Sequence, residues 1–221
     1  MPDTSNAFPA FLSDGYRSFR DGRLRDERER YEALAELGQK PTTMLISCCD
    51  SRAAPETIFN AAPGELFVVR NVANLVPPYE TDDGLHGTSA ALEFAVQGLK
   101  VENIVIMGHG RCGGVNACLN QHEAEAGIEP LSAGDFIGNW ISILEPAIDK
   151  MICADDADPA ARRRALEEAG IRHSIENLMT FPFIKTLVES GKMKLHGAWF
   201  DISSGELFTM DRETGVFGSV D

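Results

Sequence analysis

Short apolar runs alternate with segments of helical spacing along this chain. Residues 11 to 38 read as helix: Tyr31, Leu34 and Leu37 recur at helical intervals within the charged stretch DGRLRDERERYEALAEL. Gly38 and then Pro41 mark its end. An apolar run follows from Thr43 to Ser47, and a second from Glu65 to Arg70 comes after Pro63-Gly64. Both read as buried strands. Residues 87 to 99 return to helical spacing, with Leu92, Ala95, Val96 and Leu99 on one face. A third strand, Asn103 to Met107, runs into the glycine-rich stretch Gly108 to Gly114, and helix resumes from about Val115.

The pattern then weakens. Residues 121 to 135 are polar and read as irregular. Helices are expected at 159 to 179 and 183 to 190, broken at Pro182. The tail, LHGAWFDI and ELFTMD around SSG, reads as an antiparallel hairpin at a sheet edge. The expected fold is therefore α/β. It has a mainly parallel central sheet, flanking helices, an antiparallel C-terminal edge hairpin and an N-terminal helical arm. We expect one domain over 1–221: an arm at 1–40, an α/β core at 41–120, and C-terminal helices and edge strands at 121–221.

Composition narrows the function. A formal net charge of −14 repels phosphate backbones, so no nucleic-acid partner is expected. No apolar run reaches the length of a membrane span, and no membrane partner is expected. The first residues lack the basic and apolar regions of a signal peptide. Five cysteines, an odd number, argue against a disulfide framework and for a reducing compartment, with cytoplasm as the expectation.

Candidate chemistry sits where strands end. Cys48 follows the first strand, and His109 and Cys112 follow the third. A parallel sheet gathers the carboxyl ends of its strands on one edge, so Cys48 can meet the other two across 60 intervening residues. Two thiolates and an imidazole suit zinc, and three protein ligands leave a fourth position for water or substrate. Asp50 could fill that position in a closed state, or Arg52 could hold it off in a bidentate pair. Taken singly, each feature has a plainer reading: a small buried cysteine, a loop histidine bonded to backbone, a surface ion pair.

Together these residues resemble the β-class carbonic anhydrases. The likeness rests on Cys48-x-Asp50-Ser51-Arg52 and Gly108-His109-x-x-Cys112-Gly113-Gly114. It extends through Pro63 to Asn74, Val76-Pro77-Pro78, LEFAV at 92 to 96 and LHGAWFD at 195 to 201, covering roughly 30 to 210. The resemblance implies one Zn2+ per subunit on Cys48, His109 and Cys112. It implies Asp50 and Arg52 as a catalytic dyad, with Asp50 orienting a zinc-bound hydroxide or blocking the metal. The activity implied is reversible hydration of carbon dioxide to bicarbonate and a proton. Gln39, nine residues before Cys48, matches a substrate-pocket glutamine of the plant-like subgroup, reaching across a dimer interface. Phe67, Val72 and Gly113 match pocket positions of that subgroup. Self-association as dimer or tetramer is implied as well.

Two departures stand out. Phe94 replaces a tyrosine of the subgroup, and the positions of another subgroup's bicarbonate site are Leu45, Arg70 and Phe200, of which only the arginine matches. Other readings remain at this point. Gly108-x-Gly110-x-x-Gly113 after a strand also fits a dinucleotide loop, with Glu125 or Glu129 as the acid. The zinc could be purely structural, or the substrate could be carbon disulfide or carbonyl sulfide.

Overall fold

The structure, a computed structural model, describes residues 8–123, 136–154 and 156–220. The chain divides into two compact units at Gln39–Lys40. The first holds α1 (Ala10–Asp21), α2 (Arg23–Asp26) and α3 (Arg28–Leu37). The single helix expected over 11 to 38 is thus three. Gly22, at φ −110° and ψ −100°, leaves helical backbone, and Glu27 makes the second break. None of the three buries a residue, and their polar faces carry exposed pairs such as Arg17–Asp14 and Arg23–Glu27.

The second unit is built on β1 (Thr43–Cys48), β2 (Leu66–Asn71), β3 (Asn103–His109), β4 (Lys194–Phe200), β5 (Leu207–Met210) and β6 (Phe217–Ser219). The strand order is β2-β1-β3-β4-β5-β6. β2, β1, β3 and β4 pair in parallel, while β5 and β6 pair antiparallel. The expected class holds, with one correction. LHGAWF does form the expected antiparallel hairpin with β5, but it is not at the edge: its other side pairs in parallel with β3. Its partly apolar face packs inward, which periodicity alone could not separate from an edge. β6 was not anticipated, because three residues carry too little pattern.

Helices α4 (Pro55–Ile58), α5 (Gly87–Glu93), α6 (Gly113–Glu123), α7 (Phe136–Ile141), α8 (Glu145–Ile148), α9 (Pro159–Leu178) and α10 (Pro182–Glu189) complete the unit. α5 continues as a π-helix over Phe94–Leu99. The helices expected at 159 to 179 and 183 to 190 are α9 and α10, and Pro182 opens the second, since a first-turn proline lacks only an N–H that has no helical partner. α6 extends to Glu123, so 121–123 are helical; the remainder of the stretch read as irregular, including Glu125 and Glu129, lies outside the described residues.

Strand alternation sorts the core. Met44, Ile46, Ile104, Ile106, Leu195 and Trp199 join Leu92, Ile171 and Ile184 in one buried cluster. Leu45, Met107 and Ala198 point the other way. Helix α9 lies close on the sheet because Gly108 and Gly197 lack side chains: a Cβ would fall 2.8 Å from Ile171 Cδ1 at Gly108 and 2.9 Å from its Cγ2 at Gly197. Asp158 caps that helix, accepting the N–H groups of Ala160 and Ala161 at 2.8 and 2.9 Å.

Candidate metal centre

β1 and β3 are neighbours in parallel register, Ser47 opposite Met107, so their carboxyl ends finish side by side. Cys48 ends β1, His109 ends β3, and Cys112 follows just before α6. All three are buried. Their ligand atoms lie within 4.8 Å of one another, the single group of metal-ligating side chains this close among the described residues. Cys48 Sγ and Cys112 Sγ are 3.9 Å apart. His109 Nδ1 lies 2.9 Å from the Gly110 carbonyl oxygen, which makes it the donor and leaves Nε2 as the lone-pair nitrogen. That Nε2 is buried without a partner. A buried imidazole nitrogen facing two thiols is costly unless something binds it, and a thiophilic cation with borderline nitrogen affinity fits this donor set.

The thiols do not titrate alike. The Cys112 thiol beside it, then His109 and the backbone N–H groups at Asp50 and Ala73, bring Cys48 down to about 4 against the opposing effect of burial. Cys112 is pushed up by donating to Cys48 and by burial. The pair as a whole therefore loses its first proton more readily than its second, and binding of a cation releases the proton that remains.

Asp50 stands beside this set. It caps a 3-10 turn over Ser51–Ala53, its Oδ1 accepting the Arg52 N–H at 3.0 Å. The Arg52 guanidinium grips both carboxylate oxygens, Nε to Oδ1 at 2.9 Å and NH2 to Oδ2 at 2.7 Å. This fork holds the Asp50 carboxyl well below the usual carboxylate range. Oδ2 lies 3.9 Å from His109 Nε2. Cys49 is exposed while Cys48 is buried, so the neighbouring thiol turns away from the ligands as the strand geometry requires.

Three supports escaped the sequence reading. Arg70 donates to the Cys48 carbonyl at 2.9 Å and to the Asp50 carbonyl at 2.6 Å, tying the two loop residues to β2. Asn71 closes the next turn by bonding both the N–H and the carbonyl of Leu75 at 2.8 Å. Glu167, buried on α9, accepts the Cys112 N–H at 3.0 Å and the Trp199 indole N–H at 2.9 Å. Burial pushes its carboxyl up despite both donors. A signal for Glu167 was present: it shares a helical stripe with Gly170, Ile171 and Ser174, all buried.

The expected pocket residues separate. Val72 packs in the same cluster as Cys48 and Cys112, with fully buried Leu75, and Gly113 directly follows Cys112. Phe67 sits on β2 opposite Met44, its ring 5.8 Å from that of Phe94, in the cluster beneath α5. Gln39 belongs to the first unit. Leu45 is buried on the opposite sheet face among Met107 and Ala198.

Comparison with known proteins agrees with this centre. Residues 43–207 match the carbonic anhydrase family. A chloroplastic beta carbonic anhydrase of Arabidopsis thaliana is 36% identical over 86% of this chain, which spans 60% of that relative's length. A carbonic anhydrase of Pseudomonas aeruginosa is 36% identical over 92% of this chain and 91% of its own. Among solved structures, the beta-carbonic anhydrase CcaA superposes with a TM-score of 0.83 at 27% identity, covering 95% of this chain and 91% of that one. A tetrameric beta-carbonic anhydrase of Sordaria macrospora superposes at 0.74 and 26% identity, covering 94% and 97%. This chain belongs to the carbonic anhydrase family, and within it to the beta class.

Proposed function

We propose that the chain catalyses zinc-dependent, reversible hydration of carbon dioxide to bicarbonate and a proton. The observation that carries this is the buried set Cys48, His109 and Cys112, with an unpartnered His109 Nε2, beside an Asp50 clamped by Arg52. Cys48, His109 and Cys112 would hold zinc. When bound, zinc acidifies a water molecule toward a pKa of about 7 and so supplies a nucleophile at neutral pH.

The remaining chemistry belongs to the chain. Asp50, kept ionised by Arg52, accepts a hydrogen bond from the nucleophile and aims its lone pair. Arg52 occupies both Asp50 oxygens, which supports a carboxylate held off the metal over one that closes the site as a structural fourth ligand. Val72 and Leu75 give an apolar wall suited to an uncharged substrate. Phe67, Gly113 and the Gln39 amide stay in the proposal as substrate contacts on the family likeness.

The tetrameric Sordaria relative supports self-association of this chain as well. Free thiols at all five cysteines support a reducing compartment such as the cytoplasm. No helix among the described residues is long and apolar enough to cross a membrane. The test is to strip metal with a chelator, then restore zinc while following carbon dioxide hydration by stopped flow. Activity should vanish and return with zinc. Hydration that persists in the stripped protein would overturn the proposal.

A further inference from the structure

Directly after β2 the backbone takes up a costly shape. Val72–Asn74 forms a 3-10 turn in which Ala73 sits at φ 63° and ψ 22°, and Asn74 follows at φ 50°. Both residues are buried. Left-handed backbone suits glycine, and asparagine tolerates it, but an alanine there carries strain that its surroundings must hold. With this backbone the Ala73 N–H faces the Cys48 sulfur, alongside the N–H of Asp50. A buried thiolate has little water to answer its charge, so each N–H on the sulfur counts.

The turn is held from two sides. Asn71 brackets it, bonding the N–H and the carbonyl of Leu75 beyond its far end, each at 2.8 Å. Trp140, 68 residues further along the chain on α7, donates its indole N–H to the Val72 carbonyl at 2.8 Å. Its ring packs on the buried cluster that contains Cys48, Ala73 and Cys112. The chain has no cis peptide bond among the described residues, so the Val72 carbonyl and the Ala73 N–H are opposite ends of one planar trans peptide. The indole grips one end of that plane, and the Cys48 sulfur lies at the other.

We infer that Trp140 is a positioning residue for the metal centre: by fixing the Val72–Ala73 peptide it holds the Ala73 N–H on the Cys48 sulfur. A rigid plane gripped at its oxygen cannot turn its N–H elsewhere. A donor on the carbonyl also polarises the peptide and strengthens that N–H. Without the indole, the strain at Ala73 drives the peptide to rotate toward ordinary backbone, and the N–H leaves the sulfur. The inference rests on Cys48 as a zinc ligand and gives Trp140 no contact with substrate.

The test measures zinc affinity by chelator competition on the full chain, with the sulfur-to-metal charge-transfer band of the cobalt-substituted protein as a second readout. Trp140→Phe keeps a ring in place and removes only the indole N–H donor. Its zinc affinity should fall by roughly 10- to 100-fold, as when other groups that orient ligands from behind are lost, and the band should shift. Glycine adopts left-handed backbone without strain, so adding Ala73→Gly to Trp140→Phe should restore most of the loss. If Trp140→Phe does not fold, Asn71→Ala, which frees the Leu75 end of the same turn, should show the same loss and the same rescue. Wild-type affinity and an unshifted band in a less stable Trp140→Phe would reduce Trp140 to packing and overturn the inference, as would a loss that Ala73→Gly fails to rescue. A wild type that binds no zinc would defeat the metal reading itself, and the inference with it.

Discussion

Glu167 holds Cys112 in place across 55 residues of sequence, its carboxylate accepting the Cys112 backbone N–H at 3.0 Å from the middle of α9. The other oxygen takes the Trp199 indole N–H at 2.9 Å. One buried carboxylate thus ties the metal loop to both α9 and β4.

This relationship makes Glu167→Gln informative. A glutamine offers one acceptor oxygen and turns an amide N–H₂ toward the second donor, so one of two buried N–H groups loses its partner. Stability should fall by about 1–3 kcal/mol, the cost of an unsatisfied buried donor. Zinc affinity should fall by roughly 10- to 100-fold, as with other groups that orient ligands from behind. Denaturant unfolding and chelator competition measure the two effects. Wild-type values in both would show that the bond orients nothing.

Two adjacent glycines should respond unequally. A Cβ at Gly114 would fall 2.7 Å from Val72 Cγ1 and 3.1 Å from Ala73 Cβ, whereas one at Gly113 meets nothing within 4 Å. Gly114→Ala should therefore cost about 1–3 kcal/mol through overpacking. Gly113→Ala should cost much less when measured in the same unfolding series. Equal losses would mean that the turn, and not the Val72 contact, sets the requirement.

Asp50→Asn should keep zinc and lose most hydration activity, by at least about 100-fold if Asp50 places the reacting group. Arg52 would then lose its charged partner, since both guanidinium contacts to Asp50 depend on carboxylate oxygens. Metal analysis alongside stopped-flow rates separates the cases: unchanged turnover removes Asp50 from the chemistry, and lost zinc makes it a ligand.

His196 gives a pH signature away from the centre. Its Nε2 lies 3.1 Å from Asn103 Oδ1, and burial, followed by Arg212 and Lys194, holds its pKa below the ordinary value of 6.5. The unfolded chain therefore binds this proton first as pH falls. Stability from the neutral ring is complete above 6.5 and declines as pH drops from there through the lower folded value. His196→Gln should flatten that part of the stability–pH curve. An unaltered slope would assign the acid sensitivity to other groups.

Much of this was legible in sequence for identifiable reasons. Buried parallel strands such as Met44–Cys48 and Ile104–Met107 write themselves as continuous apolar runs, and both end at the metal residues. That pattern alone places Cys48, His109 and Cys112 together at one sheet edge. Less visible were residues whose work depends on the third dimension. Arg70 looks like a strand-end charge until its guanidinium is seen on the Cys48 and Asp50 carbonyls. The hairpin of β4 with β5 was legible, but the interior place of β4 was not, because its partner β3 lies half the second unit away and no local pattern records a partner so distant. Gly22 broke a helix whose periodicity ran on through it, since apolar spacing does not report backbone angles.

The central claim is that the Cys48, His109 and Cys112 set holds the zinc on which carbon dioxide hydration depends. Zinc content and hydration rate measured on the same preparations of wild type and Cys48→Ser test it most directly. The account predicts about one zinc per chain with hydration in the wild type, by the three-ligand stoichiometry of a catalytic site, and joint loss of both in the variant. Full hydration by a zinc-free Cys48→Ser protein would contradict it.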